Sequence, residues 1–147
     1  DLYIQECEKL QTIGDVKYLQ YSMIQDFCRH TSDAHIPEGI SSEVYTCMNY
    51  IRCHTNESLG IEDIAWQIHR SGSYVRKRFK EELGINIGAY IARCKLEEAK
   101  ALLTYSDKSL TEISNYLCFS SQSYFQNVFK KKYGLTPMQY RKKMQHV

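Results

Sequence analysis

Two stretches of this sequence set out side chains able to read the edges of nucleic-acid bases. Along 72–83, Ser73, Arg76, Lys77 and Lys80 fall on one side of a helical wheel, Val75 and Phe79 on the other, and Arg78 at the flank. Along 122–133, Gln122, Ser123, Gln126, Asn127 and Lys130 oppose Phe125 and Phe129. An arginine such as Arg76 can donate two parallel hydrogen bonds to guanine O6 and N7, and Gln122, Gln126 or Asn127 can pair at two points with adenine N6 and N7. Ser73, Arg76, Lys77, Gln122, Ser123, Gln126 and Asn127 are therefore the candidate base readers. Lys80, Lys130, Lys131 and Arg141, with Lys132, Lys142 and Lys143, sit at helix ends and beyond, where they suit phosphates, which fix register without reporting sequence.

These faces recur because the sequence repeats. A shift of 50 residues pairs Ser71 with Ser121, Ser73 with Ser123, Tyr74 with Tyr124, Phe79 with Phe129, Lys80 with Lys130, Gly84 with Gly134 and Tyr90 with Tyr140. Each copy is predicted to be two short helices and a turn. In the first, Ser58 is the expected cap of a helix carrying Ile61, Ile64, Ala65 and Ile68; His69-Arg70 breaks it, and Ser71 caps a second helix that Gly84 stops. In the second, Ser109-Leu110-Thr111-Glu112 is a capping box, Ile113, Tyr116 and Leu117 form the apolar stripe, Ser121 caps the next helix, and Gly134 ends it. Thr136-Pro137 starts a last short helix, with proline where its missing N–H costs nothing. Between the copies, Asn86 to Tyr105 contains no proline, and Tyr90, Ile91, Cys94, Ala99, Leu102 and Leu103 recur at helical spacing, so one long helix is expected to join the units. Ser41 or Ser42 caps a further helix, with Val44, Cys47, Met48 and Ile51 inward, completing the first unit as a three-helix bundle.

Composition agrees. Two prolines and seven glycines in 147 residues favour helices over a many-turned sheet, so the fold class is all-α. No apolar run reaches the length of a membrane span. The net charge of +2 hides an asymmetry: residues 1–40 hold three Lys or Arg against seven Asp or Glu, a net of −4, whereas the rest holds sixteen against ten, a net of +6. The basic part is the one suited to a polyanion. The division expected is 1–40 as an acidic helical extension and linker, with Ile4, Leu10, Val16, Leu19, Met23, Ile24 and Phe27 as its apolar positions and Gly14-Asp15 as a break. The first helix-turn-helix unit then covers 41–84, the linker helix 85–106 and the second unit 107–147. The opening Asp1-Leu2-Tyr3-Ile4-Gln5-Glu6 has no initiating Met and no basic leader, so a longer chain is expected, with something preceding this segment.

The long pattern has a familiar form. Ile64-Ala65, Ser71-x-Ser73-Tyr74-Val75-x-Lys77-x-Phe79-Lys80 and Gly84 are followed by Tyr90, Lys95-Leu96-Glu97-Glu98-Ala99 and Leu102-Leu103. Ile113-Ser114, Phe119-Ser120-Ser121-Gln122-Ser123-Tyr124-Phe125, Phe129-Lys130, Gly134 and Thr136-Pro137-x-x-Tyr140-Arg141 complete it. Over about 42–143 this resembles the DNA-binding domain of the AraC/XylS family of bacterial transcription regulators. The resemblance implies two helix-turn-helix units entering adjacent major grooves of promoter DNA, an activator that recruits RNA polymerase, a cytoplasmic location, and an effector-binding or dimerising region ahead of the domain, with a homodimer formed through the N-terminal part. It implies no enzyme and no cofactor. Three positions depart from the family pattern: Cys118 stands where glycine is usual, Lys95 where arginine is common, and Asn127 where some members carry arginine.

Other chemistry has less support. Cys7, Cys28, Cys47, Cys53, Cys94 and Cys118 lie mostly on helical stripes and are expected to be reduced, buried thiols. Cys28-x-His30 with His35, or Cys47 with Cys53-His54, could offer metal ligands, but neither has the paired spacing of a zinc site. A thiol- or metal-dependent sensor, or a protein-interaction module built from such bundles, is the competing class. Trp66 is expected to pack, and Tyr74, Tyr90, Tyr124 and Tyr140 to be core residues with bonded hydroxyls. The N-terminal helix is expected to pack on the first unit or to join a dimer interface.

Overall fold

A computed structural model describes residues 7, 10–31 and 36–145, with the side chains of 25 and 28–31 left out. The described residues form eight helices and no strand, and the chain divides into two compact units, Ala34–Glu97 and Asp1–Asp33 with Glu98–Val147. Helices are numbered in chain order: α1 Ile13–Thr31, α2 Ser42–Cys53, α3 Ile61–Trp66, α4 Gly72–Leu83, α5 Ile87–Tyr105, α6 Leu110–Tyr116, α7 Gln122–Tyr133 and α8 Pro137–Gln145. The helix α5 is continuous through the boundary between the two units.

In the unit 34–97, α2 begins where the Ser41 hydroxyl accepts from the Val44 N–H at 3.3 Å, and it buries Val44, Cys47, Met48 and Ile51 on one stripe. The cap of α3 is Gly60, not Ser58. The Asp63 carboxylate reaches back to accept from the Gly60 N–H at 2.9 Å, so the closing group comes from inside the helix. The helix ends at Trp66, and Ile68 follows it half-buried. Ser71 caps α4 by accepting from the Tyr74 N–H, and Gly84 ends it at φ 70°, a left-handed conformation in which a Cβ is unfavourable. Val75 and Phe79 are fully buried with Ile64 and Ala65, and Phe79 meets the buried Tyr90 edge-on at 5.6 Å. Burying one such phenylalanine contributes about 1.5–3 kcal/mol, which orients α4 on its bundle.

The second repeat uses the same devices. Ser109 and Glu112 form the expected capping box, Ser121 accepts from the Tyr124 N–H, and Gly134 stops α7 at φ 75°. Thr136 and Gln139 cap α8 reciprocally. Phe125 and Phe129 are fully buried, and Phe129 stacks edge-on to Tyr140 at 5.5 Å.

The N-terminal helix belongs to this unit rather than to the first helix-turn-helix. Tyr18 donates to the Glu98 carboxylate, Leu19 is buried, and Tyr21 stacks on Tyr105 at 5.0 Å. Burial, and after it the Glu98 charge, drives the Tyr18 phenol well above its usual range, so it remains a donor. Gly14-Asp15 is no break. It lies in the first turn of α1, where Asp15 accepts from the Thr12 N–H and Thr12 accepts from the Asp15 N–H. Ile4 and part of the expected linker lie outside the described residues.

Candidate nucleic-acid interface

The recognition faces are positioned by turns of one design. In the first repeat the Arg70 N–H donates to the Ala65 carbonyl at 3.1 Å, and in the second the Phe119 N–H donates to the Ser114 carbonyl at 2.9 Å. Just before each donor stands a residue in the left-handed region: His69 at φ 53° and Cys118 at φ 53°. Cys118 thus carries a side chain where the backbone favours glycine, as its departure from the family pattern foreshadowed.

On α4 the core side is Val75 and Phe79, and Ser73, Arg76, Lys77 and Lys80 are exposed. Ser73 and Arg76 have no hydrogen-bond or ion-pair partner among the described residues, so both are available to a ligand. Lys77 stands 3.9 Å from Glu81, a surface pair worth little, and the Lys80 ammonium donates to the Gly84 carbonyl while remaining exposed. Arg78 turns inward, 2.6 Å from Glu82, which also accepts from the Ser41 N–H. Behind the helix, Tyr74 donates to Glu43 at 2.6 Å and Arg70 pairs with it at 3.0 Å. These donors hold the Glu43 carboxyl below the usual carboxylate range, the Tyr74 hydroxyl contributing most. At Gly72 a Cβ would lie 2.5 Å from a Glu62 carboxylate oxygen and 3.1 Å from Ile61, so any larger residue there displaces the Glu62 side chain.

On α7, Ser123 and Asn127 are exposed, Gln122 and Gln126 are half-buried, and Lys130 and Lys131 project into solvent. Gln122 is already engaged: the Thr111 hydroxyl donates to its Oε1 at 2.6 Å, leaving the amide N–H groups to point elsewhere. Arg141 donates to the carbonyls of Leu103 at 3.3 Å and Lys108 at 2.5 Å, and ties α8 to the end of α5. Lys95 is buried, with its ammonium donating to the Glu57 carbonyl at 3.0 Å.

Several expectations are corrected. Trp66 is 73% exposed and does not pack. Tyr124 is 52% exposed, whereas Tyr90 is buried and Tyr74 and Tyr140 are half-buried. Among the described cysteines only Cys47 is buried; Cys94 is intermediate, and Cys7, Cys53 and Cys118 are exposed. Burial pushes the Cys47 thiol up to about 11. No cluster of three metal-binding side chains occurs among the described residues, and the side chains of Cys28, His30 and His35 lie outside them.

Comparison with known proteins agrees with this geometry. The helix-turn-helix domain family matches residues 64–143. The xylose operon regulatory protein of Escherichia coli K12 is 41% identical over 98 residues, which are 67% of this chain and 25% of that protein, so the chain spans about a quarter of this relative. The C-terminal domain of the response regulator AraT from Geobacillus stearothermophilus superposes with a TM-score of 0.65 at 30% identity, covering 71% of this chain and 87% of that one. The DNA-binding domain of AdpA, solved with a target DNA, shares the fold at a TM-score of 0.66 and 22% identity, over 72% of this chain and 96% of that one. The chain belongs to the AraC/XylS family of helix-turn-helix, DNA-binding transcription regulators.

Proposed function

We propose that this chain is the sequence-specific, double-stranded-DNA-reading part of a regulator that activates transcription by recruiting RNA polymerase. The outward faces of α4 and α7 carry this conclusion: each opposes a buried Phe with exposed or half-exposed polar side chains that can meet base edges. Ser73, Arg76 and Lys77 on α4, and Gln122, Ser123, Gln126 and Asn127 on α7, read bases in successive major-groove segments. Lys80, Lys130 and Lys131 contact phosphates, and Arg141 adds to them only through a guanidinium edge not held by carbonyls. The protein works in the cytoplasm and assigns no catalytic step to these residues.

Among the described side chains of α1, Ile13, Val16, Met23, Ile24 and Phe27 are exposed and apolar, and they support a homodimer formed through the N-terminal part, with sedimentation of the chain as its measure.

Selection from a random duplex pool, followed by anisotropy titration, tests the reading. Affinity for the selected site falls steeply as salt rises, and hydroxyl-radical footprints protect two segments about one helical turn apart. Arg76→Ala weakens binding to that site by roughly 1–3 kcal/mol and binding to random duplex much less. Salt-indifferent binding, or equal losses on both DNAs, would overturn it.

A further inference from the structure

Within 34–97, Trp66 is the one large hydrophobic side chain that the described residues leave exposed. It lies on the solvent side of α3 with Glu62, Asp63 and Gln67, opposite the buried Ile64 and Ala65. Its indole and the His69 ring stand nearly perpendicular with centroids 6.0 Å apart, and 73% of the tryptophan remains exposed. The other repeat shows that the bundle does not need an aromatic here. The alignment that pairs Ile64 with Ile113 pairs Trp66 with Asn115, which is also exposed, and both units hold the same helix pair. A solvated tryptophan that packing does not require has the character of a contact residue, since tryptophan is enriched among the few side chains that dominate protein interfaces.

The surrounding charge indicates what it would contact. Glu62 and Asp63 lie four and three residues before Trp66, the segment 61–68 contains no Lys or Arg, and the nearest cation, Arg70, is paired with Glu43 at 3.0 Å. Phosphates are repelled from such a surface. An Arg or Lys side chain is attracted to it, and can lie against the exposed indole while two carboxylates balance its charge. Arg76, Lys77 and Lys80 of α4 present the opposite sign.

We propose that Trp66, with Glu62 and Asp63, is a docking patch for an Arg- or Lys-bearing protein surface assembled on the same DNA. This rests on the DNA-binding reading and adds to it a second face with a different ligand. The test uses the 147-residue chain, a site selected from random duplex, and purified bacterial RNA polymerase holoenzyme as the basic partner offered. Trp66→Ala should bind the site within twofold of the unaltered chain, which also reports that it is folded, and should lose roughly tenfold or more of the cooperativity between chain and polymerase. Glu62→Gln should lose part of it, and Trp66→Phe should keep most. If Trp66→Ala loses DNA affinity as Arg76→Ala does, Trp66 is a DNA contact and the proposal falls. It falls equally if cooperativity is absent from the unaltered chain or survives in Trp66→Ala. Failure of the unaltered chain to select any site would instead sink the DNA-binding reading.

Discussion

The Thr111 hydroxyl donates to the Oε1 of Gln122 at 2.6 Å, and this bond makes the leading residue of α7 unlike that of α4, where Gly72 has no side chain to orient. With one Oε1 lone pair already taken, Gln122, in the base-reading role proposed for it, would face a base chiefly as a donor. Thr111→Val removes the clamp with little change in volume. Discrimination at the base read by Gln122 should then drop by up to about 1–3 kcal/mol, toward that of Gln122→Ala, in competition titrations against single-base variants. Affinity for random duplex should hardly change.

Cys118 sits at φ 53° with a Cβ. The left-handed conformation costs an L-residue about 1–2 kcal/mol, while glycine loses about 0.5–1 kcal/mol in extra chain entropy. The strain term is the larger, so Cys118→Gly should stabilise the fold by roughly 0.5 kcal/mol, read from the urea midpoint. Gly134→Ala, at φ 75°, should move the midpoint the other way.

The bond from Tyr74 to Glu43 has a pH signature. Because the folded chain holds the Glu43 carboxyl below its ordinary value, the stabilisation is complete above the unfolded-state value near 4.3 and is lost as pH falls through the lower folded value. Tyr74→Phe removes the larger of the two bonds. Its urea midpoint should lie below that of the unaltered chain at pH 7, and the gap should narrow as pH falls through the lowered folded value of Glu43. A constant gap across that range would mean that Tyr74 stabilises by packing alone.

Thiol chemistry should follow burial. With its thiol pushed up to about 11 by burial and the nearby Glu43 charge, Cys47 carries little thiolate at pH 8 and is shielded as well. Iodoacetamide mapping by mass spectrometry should find Cys7, Cys53 and Cys118 modified first and Cys47 only when the unit 34–97 opens.

Much of the scaffold could be read from sequence because it is written locally. Ser71, Ser121 and the Ser109–Glu112 box cap helices through groups three residues away, and Val75, Phe79, Phe125 and Phe129 repeat at four-residue spacing. Local reading failed where the deciding group is not a neighbour or where exposure outweighs residue type. Asp63 caps α3 from within, so Ser58 was the wrong residue to expect. Arg141 spends its guanidinium on carbonyls 38 and 33 residues distant, and Tyr18 finds Glu98 80 residues away. Trp66 has the composition of a core residue, but it lies on the solvent side of α3, 73% exposed.

The bonds from Arg70 to Ala65 and from Phe119 to Ser114 join main-chain groups alone, and each closes its turn without consulting a side chain. The corner of each motif is therefore closed by main-chain groups, with histidine in one and cysteine in the other holding the same left-handed conformation. Side chains on α4 and α7 can therefore be exchanged without touching the hydrogen bonds that set the angle at which those helices are presented.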